Sequence, residues 1–275
     1  MMTGQINKSI VDARKNNKLI VGVHTYGSKP PVFCTSSMLW YKHIVPYIDK
    51  EQPFYCFEPS ASTKMEDIVA RYIAEIQEVQ PEGPYTVVGY CQSAYIAYEI
   101  AAKLEAMGHR NNNVIIIESS TPWYEEDIRK TQSYNLILDK YKLILIKRPL
   151  KLVRESLGQE RGGRLKFITS KIAYVLGTRV KKIAGMPGNA PVYTLTGYDQ
   201  IRFPNHSFSN FTGKIVIIKA SIQPPLDKYD QYLGWTKIVP PQNIEMHIVN
   251  GTHKSIFFPP FVHELGEVLN RNFNN

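Results

Sequence analysis

The stretch Tyr85-Thr86-Val87-Val88-Gly89-Tyr90-Cys91-Gln92-Ser93-Ala94-Tyr95 decides the reading of this chain. Its first half is apolar and β-prone, as a strand buried on both faces should be. The run breaks at Gly89 and resumes as a helical pattern over residues 94–107. Strand, tight turn and helix follow one another so closely that the two backbones must nearly touch, while the apex side chain is pushed into the open. Such a turn demands small residues two before and two after the apex, and Gly89 and Ser93 meet that demand. The apex residue is Cys91. Its position favours a nucleophile over a small buried hydrophobe, because unpaired N–H groups at a helix N-terminus stabilise negative charge. The Gln92 N–H becomes the natural first donor to an oxyanion. The pattern departs from G-x-S-x-G twice, with Cys for Ser and Ser93 for the second Gly.

Working outward, short β-rich runs recur at 31–35, 53–58, 85–90, 113–118, 214–220 and 244–249. Between them lie helical patterns. Thr63-Lys64-Met65-Glu66 reads as a capping box, and Ile68, Tyr72, Ile76 and Val79 then form one apolar stripe. Residues 94–107 and 261–272 supply two more helices. Alternating strand and helix imply an α/β protein with a mostly parallel sheet flanked by helices, and with the elbow an α/β-hydrolase fold. Residues 119–212 interrupt the alternation, so the expected organisation is one domain over 1–275 with an inserted helical lid at 119–212. At 275 residues, one such domain plus an insertion accounts for the length.

A base should follow the nucleophile, and seven histidines compete: His24, His43, His109, His206, His247, His253 and His263. His253 follows Asn250-Gly251-Thr252, after the last strand and before the last helix, where this fold presents its imidazole. His247 falls within that strand and His263 within that helix, where packing or solvation explains them. The third member should orient the imidazole from a strand end. Glu118 closes the apolar strand Val114-Ile115-Ile116-Ile117, and Asp227 in the loop after the next strand is the alternative.

The formal net charge of +9 is unevenly placed. Between Lys142 and Lys182, twelve Lys or Arg face only Glu155 and Glu160, a local excess of ten positive charges. Lys147, Arg148 and Lys151 interleave with Leu143, Ile144, Ile146, Leu150 and Leu152, and Pro149 must kink or break a helix there. This reads as an amphipathic cover, apolar inward and basic outward. No nucleic-acid module or repeated exposed aromatics accompany the charge, which points to an acidic protein partner. Apolar runs such as 114–117 and 143–146 stop far short of a membrane span, and the first residues lack an apolar leader core, so no membrane insertion and a cytoplasmic location are expected. Cys34, Cys56 and Cys91 cannot all pair, and no spacing of Cys and His suits a metal.

Val79-Gln80-Pro81-Glu82-Gly83-Pro84-Tyr85 through Cys91, then Ala97-Tyr98-Glu99-Ile100-Ala101 and Leu104-Glu105, resemble the terminal thioesterase domains of polyketide and nonribosomal peptide synthetases. Leu233-Gly234-Trp235 and Met246-His247-Ile248-Val249-Asn250-Gly251-Thr252-His253 are similar to the same family around its histidine. The resemblance covers about residues 30–120 and 208–272; the lid diverges. It implies an acid at Glu118, where Asp is usual, and a second oxyanion donor at Ser36. The family's His-Pro-x-Gly-Gly loop is replaced here by Thr35-Ser36-Ser37-Met38. It further implies an acyl or peptidyl carrier protein as partner and an acyl chain delivered on its phosphopantetheine arm, with no cofactor of the enzyme's own. Carrier proteins are generally acidic, which matches Lys147, Arg148 and Lys151 as docking residues. Cysteine elbows also resemble dienelactone hydrolases and polyhydroxyalkanoate synthases. A catalytically degenerate carrier-docking module is the non-enzymatic alternative.

Overall fold

The computed structural model describes residues 9–13, 15–124, 206–222 and 230–273. Seven strands are present among them: β1 (Ile20–Val23), β2 (Val32–Cys34), β3 (Phe54–Phe57), β4 (Thr86–Tyr90), β5 (Asn113–Ile117), β6 (Lys214–Ile222) and β7 (Ile244–Thr252). The helices that matter for the site are α1 (Met38–Tyr41), α2 (Met65–Val79), α3 (Ser93–Ala106) and α4 (Val262–Asn272). The strands form one sheet in the order β1-β3-β2-β4-β5-β6-β7. Every neighbouring pair is parallel except β1 with β3.

The six strands expected from sequence are all present, and β1 is an addition. Ile20-Val21-Gly22-Val23 buries only Val21 fully and lies at the sheet edge, so it carries no continuous apolar run to betray it. Central strands show the opposite pattern. All five residues of β5 are buried, as are Val87 to Tyr90 of β4. Side chains alternate across a strand. On one face Cys34, Val88, Ile115, Ile117, Val216 and Ile218 join Met38 and Tyr41 of α1 and Leu265 and Leu269 of α4 in one core. Val87, Val114 and Ile116 are as deeply buried on the other face, and α3 packs on β4 and β5.

Two local expectations need correction. The capping box at the start of α2 does not form: Lys64 is the N-cap residue and makes no side-chain cap. Ser62 serves instead, its Oγ accepting from Lys64 N at 3.2 Å and donating to Asp67 at 3.0 Å. The strand expected to stop at residue 249 runs on to Thr252, past an irregularity in the β6 pairing between Ala220 and Ile222. His253 is therefore the first residue beyond the strand. The lid at 119–212 lies outside the described residues for 125–205, as do Lys147, Arg148, Lys151 and Asp227. Its last residues, 206–212, are described and are tied to α3. Ser209 donates through both N and Oγ to Glu99, and Thr212 N donates to Glu105. Among the described residues no helix is long and apolar enough to cross a membrane.

The approach of strand to helix at the elbow is as tight as the sequence required. A Cβ on Gly89 would stand 2.3 Å from Ala94 Cα and 2.8 Å from Ser93 O. Real carbon atoms cannot approach so closely, and the obstacles are backbone. Gly89→Ala should therefore destabilise the fold by about 1–3 kcal/mol, the usual cost of forcing a methyl into a packed site. Equilibrium urea unfolding measures this, and an unchanged stability would contradict the close packing.

Candidate active site

Cys91 is the single residue between β4 and the N-cap of α3, and the turn forces its φ to +54°. That left-handed conformation is uncommon for a residue with a side chain, and persists only where the surroundings over-determine it. Here they do. Cys91 N donates to Ile117 O at 2.9 Å, and Cys91 O accepts from Ala94 N at 3.1 Å. Ser93, standing where a second glycine is usual, fills its space with a useful hydroxyl. Its Oγ accepts from Tyr90 N at 3.0 Å and lies 2.8 Å from Tyr90 O and 2.5 Å from Ser36 Oγ. The elbow is thus stitched both to itself and to the loop after β2.

Glu118, one residue beyond β5, also has a positive φ of +52°. Its backbone N donates to Ile218 O, and its side chain is only 2% exposed. The carboxylate accepts from Ala220 N through Oε1 at 2.5 Å and meets His253 Nδ1 through Oε2 at 3.2 Å. With Nδ1 turned to Glu118, the other ring nitrogen is left for Cys91. Burial opposes the charged imidazole of His253, but hydrogen bonding and charge from Cys91 and then Glu118 outweigh it, and the ring is pushed up to about 9. The three side chains singled out in the sequence thus converge.

Of the two expected oxyanion donors, Gln92 directly follows the apex and Ser36 lies in the loop after β2. Gln92 is the N-cap residue of α3 and makes no side-chain cap, so the first-turn amides of the helix are not satisfied by it. Ser36 is buried in the loop after β2, joined to the elbow through Ser93. The neighbouring Thr35 donates from N to Val88 O at 2.8 Å and from Oγ1 to Ser93 O at 2.8 Å. Of the other histidines, His247 pairs with Glu245 at 2.9 Å and His263 with Glu267 at 3.5 Å, both away from the elbow.

Sequence reasoning missed two supports. In sequence Tyr90 reads only as the end of a strand, yet its ring stacks on His253 with centroids 5.0 Å apart. Its aromatic ring and polar tip, one position before the nucleophile, were the available signal. Leu233-Gly234-Trp235 entered only as a matching string, but it clamps the chain leaving Glu118. Trp235 Nε1 donates to Ser119 O at 2.8 Å, and Thr121 N to Leu233 O at 3.0 Å. Gly234, at φ +88°, is needed because a Cβ there would meet Thr121 Oγ1 at 2.2 Å.

The thioesterase domain family matches residues 32–172, more than half of the 275. The chain belongs to the thioesterase domain family. It is accordingly an enzyme of thioesterase type on an α/β-hydrolase fold. Among curated relatives it is similar to an atromentin synthetase of Paxillus involutus, 35% identical over 100 residues, covering 32% of this chain and 10% of the relative. An inactive atromentin synthetase of the same fungus is 37% identical over 100 residues with the same coverage. The chain thus spans about a tenth of the length of these relatives. Among solved structures, the NocB thioesterase domain from the nocardicin cluster superposes with a TM-score of 0.59 at 11% identity, covering 94% of this chain and 99% of that one. This likeness is one of fold.

A pH consequence follows from the raised His253. A group whose folded pKa exceeds its unfolded value of about 6.5 adds stability that is fully present below that value. That stability is lost as the pH rises through about 9. Glu118→Gln removes one of the two groups that keep the ring charged, so the His253 titration, followed by NMR of its ring carbons, should move down from about 9. An unmoved titration would show that Glu118 does not hold the imidazole.

Proposed function

We propose that this thioesterase is an acyl transferase working through Cys91. It takes an acyl, polyketide or peptidyl chain from the phosphopantetheine thioester of an acyl or peptidyl carrier protein and releases it to a nucleophile. The single observation that carries the reading is Cys91 at a strained, outward-pushed apex beside an imidazole whose far nitrogen is bound by a buried carboxylate. Nucleophile, base and orienting group in this order are what acyl transfer needs.

The steps follow from these positions. His253 already holds the proton that Cys91 gives up, and Sγ attacks the thioester carbonyl carbon. The carbonyl oxygen gains negative charge and is met by the amides of Gln92 and Ser36. Collapse expels the phosphopantetheine sulfur, which takes the proton from the imidazolium, and the chain is left as a thioester on Cys91. His253 then removes a proton from the incoming nucleophile, which attacks the same carbonyl carbon. Cys91 leaves and recovers its proton from His253. Glu118 stays ionised and stabilises the imidazolium in both halves. No cofactor of the enzyme's own enters.

A cysteine changes what the intermediate is good for. Loading exchanges one thioester for another at little thermodynamic cost, so the chain stays activated. Relative to an oxygen ester, a thioester favours attack by amines, thiols and stabilised carbanions far more than attack by water. Release by aminolysis, cyclisation or transfer to a second nucleophile therefore fits Cys91 better than hydrolysis. The basic segment containing Lys147, Arg148 and Lys151 would steer an acidic carrier to the enzyme.

Cys91→Ala should lower turnover of a carrier-bound acyl thioester at least about a hundredfold. Cys91→Ser, given the same acyl carrier and a candidate amine, should shift products toward free acid. Identical proportions from the native enzyme and Cys91→Ser would remove any role for the thioester in steering transfer and make hydrolysis the better reading. Charge reversal at Lys147, Arg148 and Lys151 should slow the carrier-dependent reaction at low salt and leave free small thioesters unaffected. An unchanged carrier-dependent rate would end the docking proposal. Efficient turnover of free small esters without a carrier would instead point to a stand-alone hydrolase.

A further inference from the structure

We propose that Tyr90 is a positioning residue, fixing the His253 imidazole beside Cys91 through a hydroxyl anchored on the His253 backbone carbonyl and a ring stacked on the imidazole. This rests on the reading of Cys91 and His253 as nucleophile and base, and adds the element that holds one to the other.

Tyr90 is the last residue of β4 and the residue directly before Cys91, so any contact it makes with the base loop ties that loop to the elbow. It makes two. Its hydroxyl donates to the backbone carbonyl of His253 itself at 2.9 Å, and its ring stacks on the imidazole at 5.0 Å with planes 30° apart. One side chain thus fixes the backbone and the ring of the same residue. Tyr90 is in turn held by its own neighbours. It is 5% exposed, and Phe257 packs against its ring at 4.6 Å and Trp40 at 5.4 Å. Both its backbone N and O lie in hydrogen-bonding reach of Ser93 Oγ.

The base needs such a tie. His253 is the first residue beyond β7, and its side chain is 40% exposed, so packing from above does not hold it. The bond from Nδ1 to Glu118 fixes one ring atom at 3.2 Å, and rotation about that contact is still open. A second support on the ring face closes it. The aromatic face also suits the charged form of the ring, because a cation over the π-cloud of a tyrosine is stabilised. The described titratable groups that face His253 are Cys91 from the elbow, Glu118 beyond β5 and Tyr90 itself from β4.

Two variants separate positioning from mere filling of space. Tyr90→Phe keeps the ring and loses the anchor; Tyr90→Leu loses both. The readouts are the rate at which iodoacetamide alkylates Cys91 at neutral pH, located by mass spectrometry, and the His253 titration followed by NMR. Alkylation should slow about threefold to tenfold in Tyr90→Phe and further in Tyr90→Leu, toward the rate of His253→Ala. The His253 titration should fall by about half a pH unit or more in Tyr90→Leu, with Tyr90→Phe retaining part of the native value. Loss of packing alone would lower the melting temperature without moving either readout. If either variant, folded by circular dichroism, matches the native protein in both, the proposal is overturned; should Tyr90→Leu fail to fold, Tyr90→Phe decides. A native Cys91 that alkylates no faster than in His253→Ala would show that nucleophile and base do not pair at all. That failure of the catalytic reading appears before any Tyr90 variant is made.

Discussion

The close approach of β4 to α3 at Gly89 is the constraint on which the remaining geometry depends. With Gly89 in van der Waals contact with the backbone of Ala94, the chain has one residue in which to reverse, and that residue takes a left-handed conformation. Cys91 occupies it. The thiol is thereby held between the end of β4 and the start of α3. A strained backbone here costs on the order of 1–3 kcal/mol. It is offset by a core in which the central strands β4 and β5 are buried on both faces, so the site rises from buried strands.

The same logic extends to the acid and the base. Glu118 and Cys91 leave adjacent parallel strands, with Tyr90 paired to Ile117 in register, so sheet register alone sets how far apart acid and nucleophile stand. Both then turn with positive φ. His253 arrives from the far end of β7 and is drawn in by Glu118, by Cys91 and by Tyr90. Exposed ion pairs elsewhere, such as His263 with Glu267, contribute little because water screens them. The Glu118–His253 contact differs because the carboxylate is buried and also bound by Ala220 N. Its orientation is fixed before any substrate arrives.

Much of this was legible in the sequence because it rests on short-range rules. The apolar runs of β4 and β5, the break at Gly89 and the position of His253 after the last strand each follow from local pattern. The orienting acid needed more, since Glu118 and Asp227 both sit after strands; the resemblance pointed to Glu118, and it is Glu118 that meets the ring. What was illegible depends on contacts between distant segments. β1 has a weak apolar signal because an edge strand buries one side. Tyr90 looks like any strand tyrosine until β7 brings His253 over it, 163 residues later in sequence. Where the capping box was expected, Ser62 Oγ accepts from Lys64 N and donates to Asp67, a choice that the four-residue pattern alone does not reveal.

A covalent acyl group on Cys91 distinguishes this account from all others, and intact-mass analysis detects it. Incubated with an acyl chain loaded on a carrier's phosphopantetheine, the protein should gain the mass of that acyl group, mapped by digestion to the peptide holding Cys91. The adduct should build up more in His253→Ala if deacylation slows more than loading, and be absent in Cys91→Ala. Turnover of the carrier-bound chain in Cys91→Ala at the native rate, or an adduct mapped to another residue, would contradict cysteine-based acyl transfer.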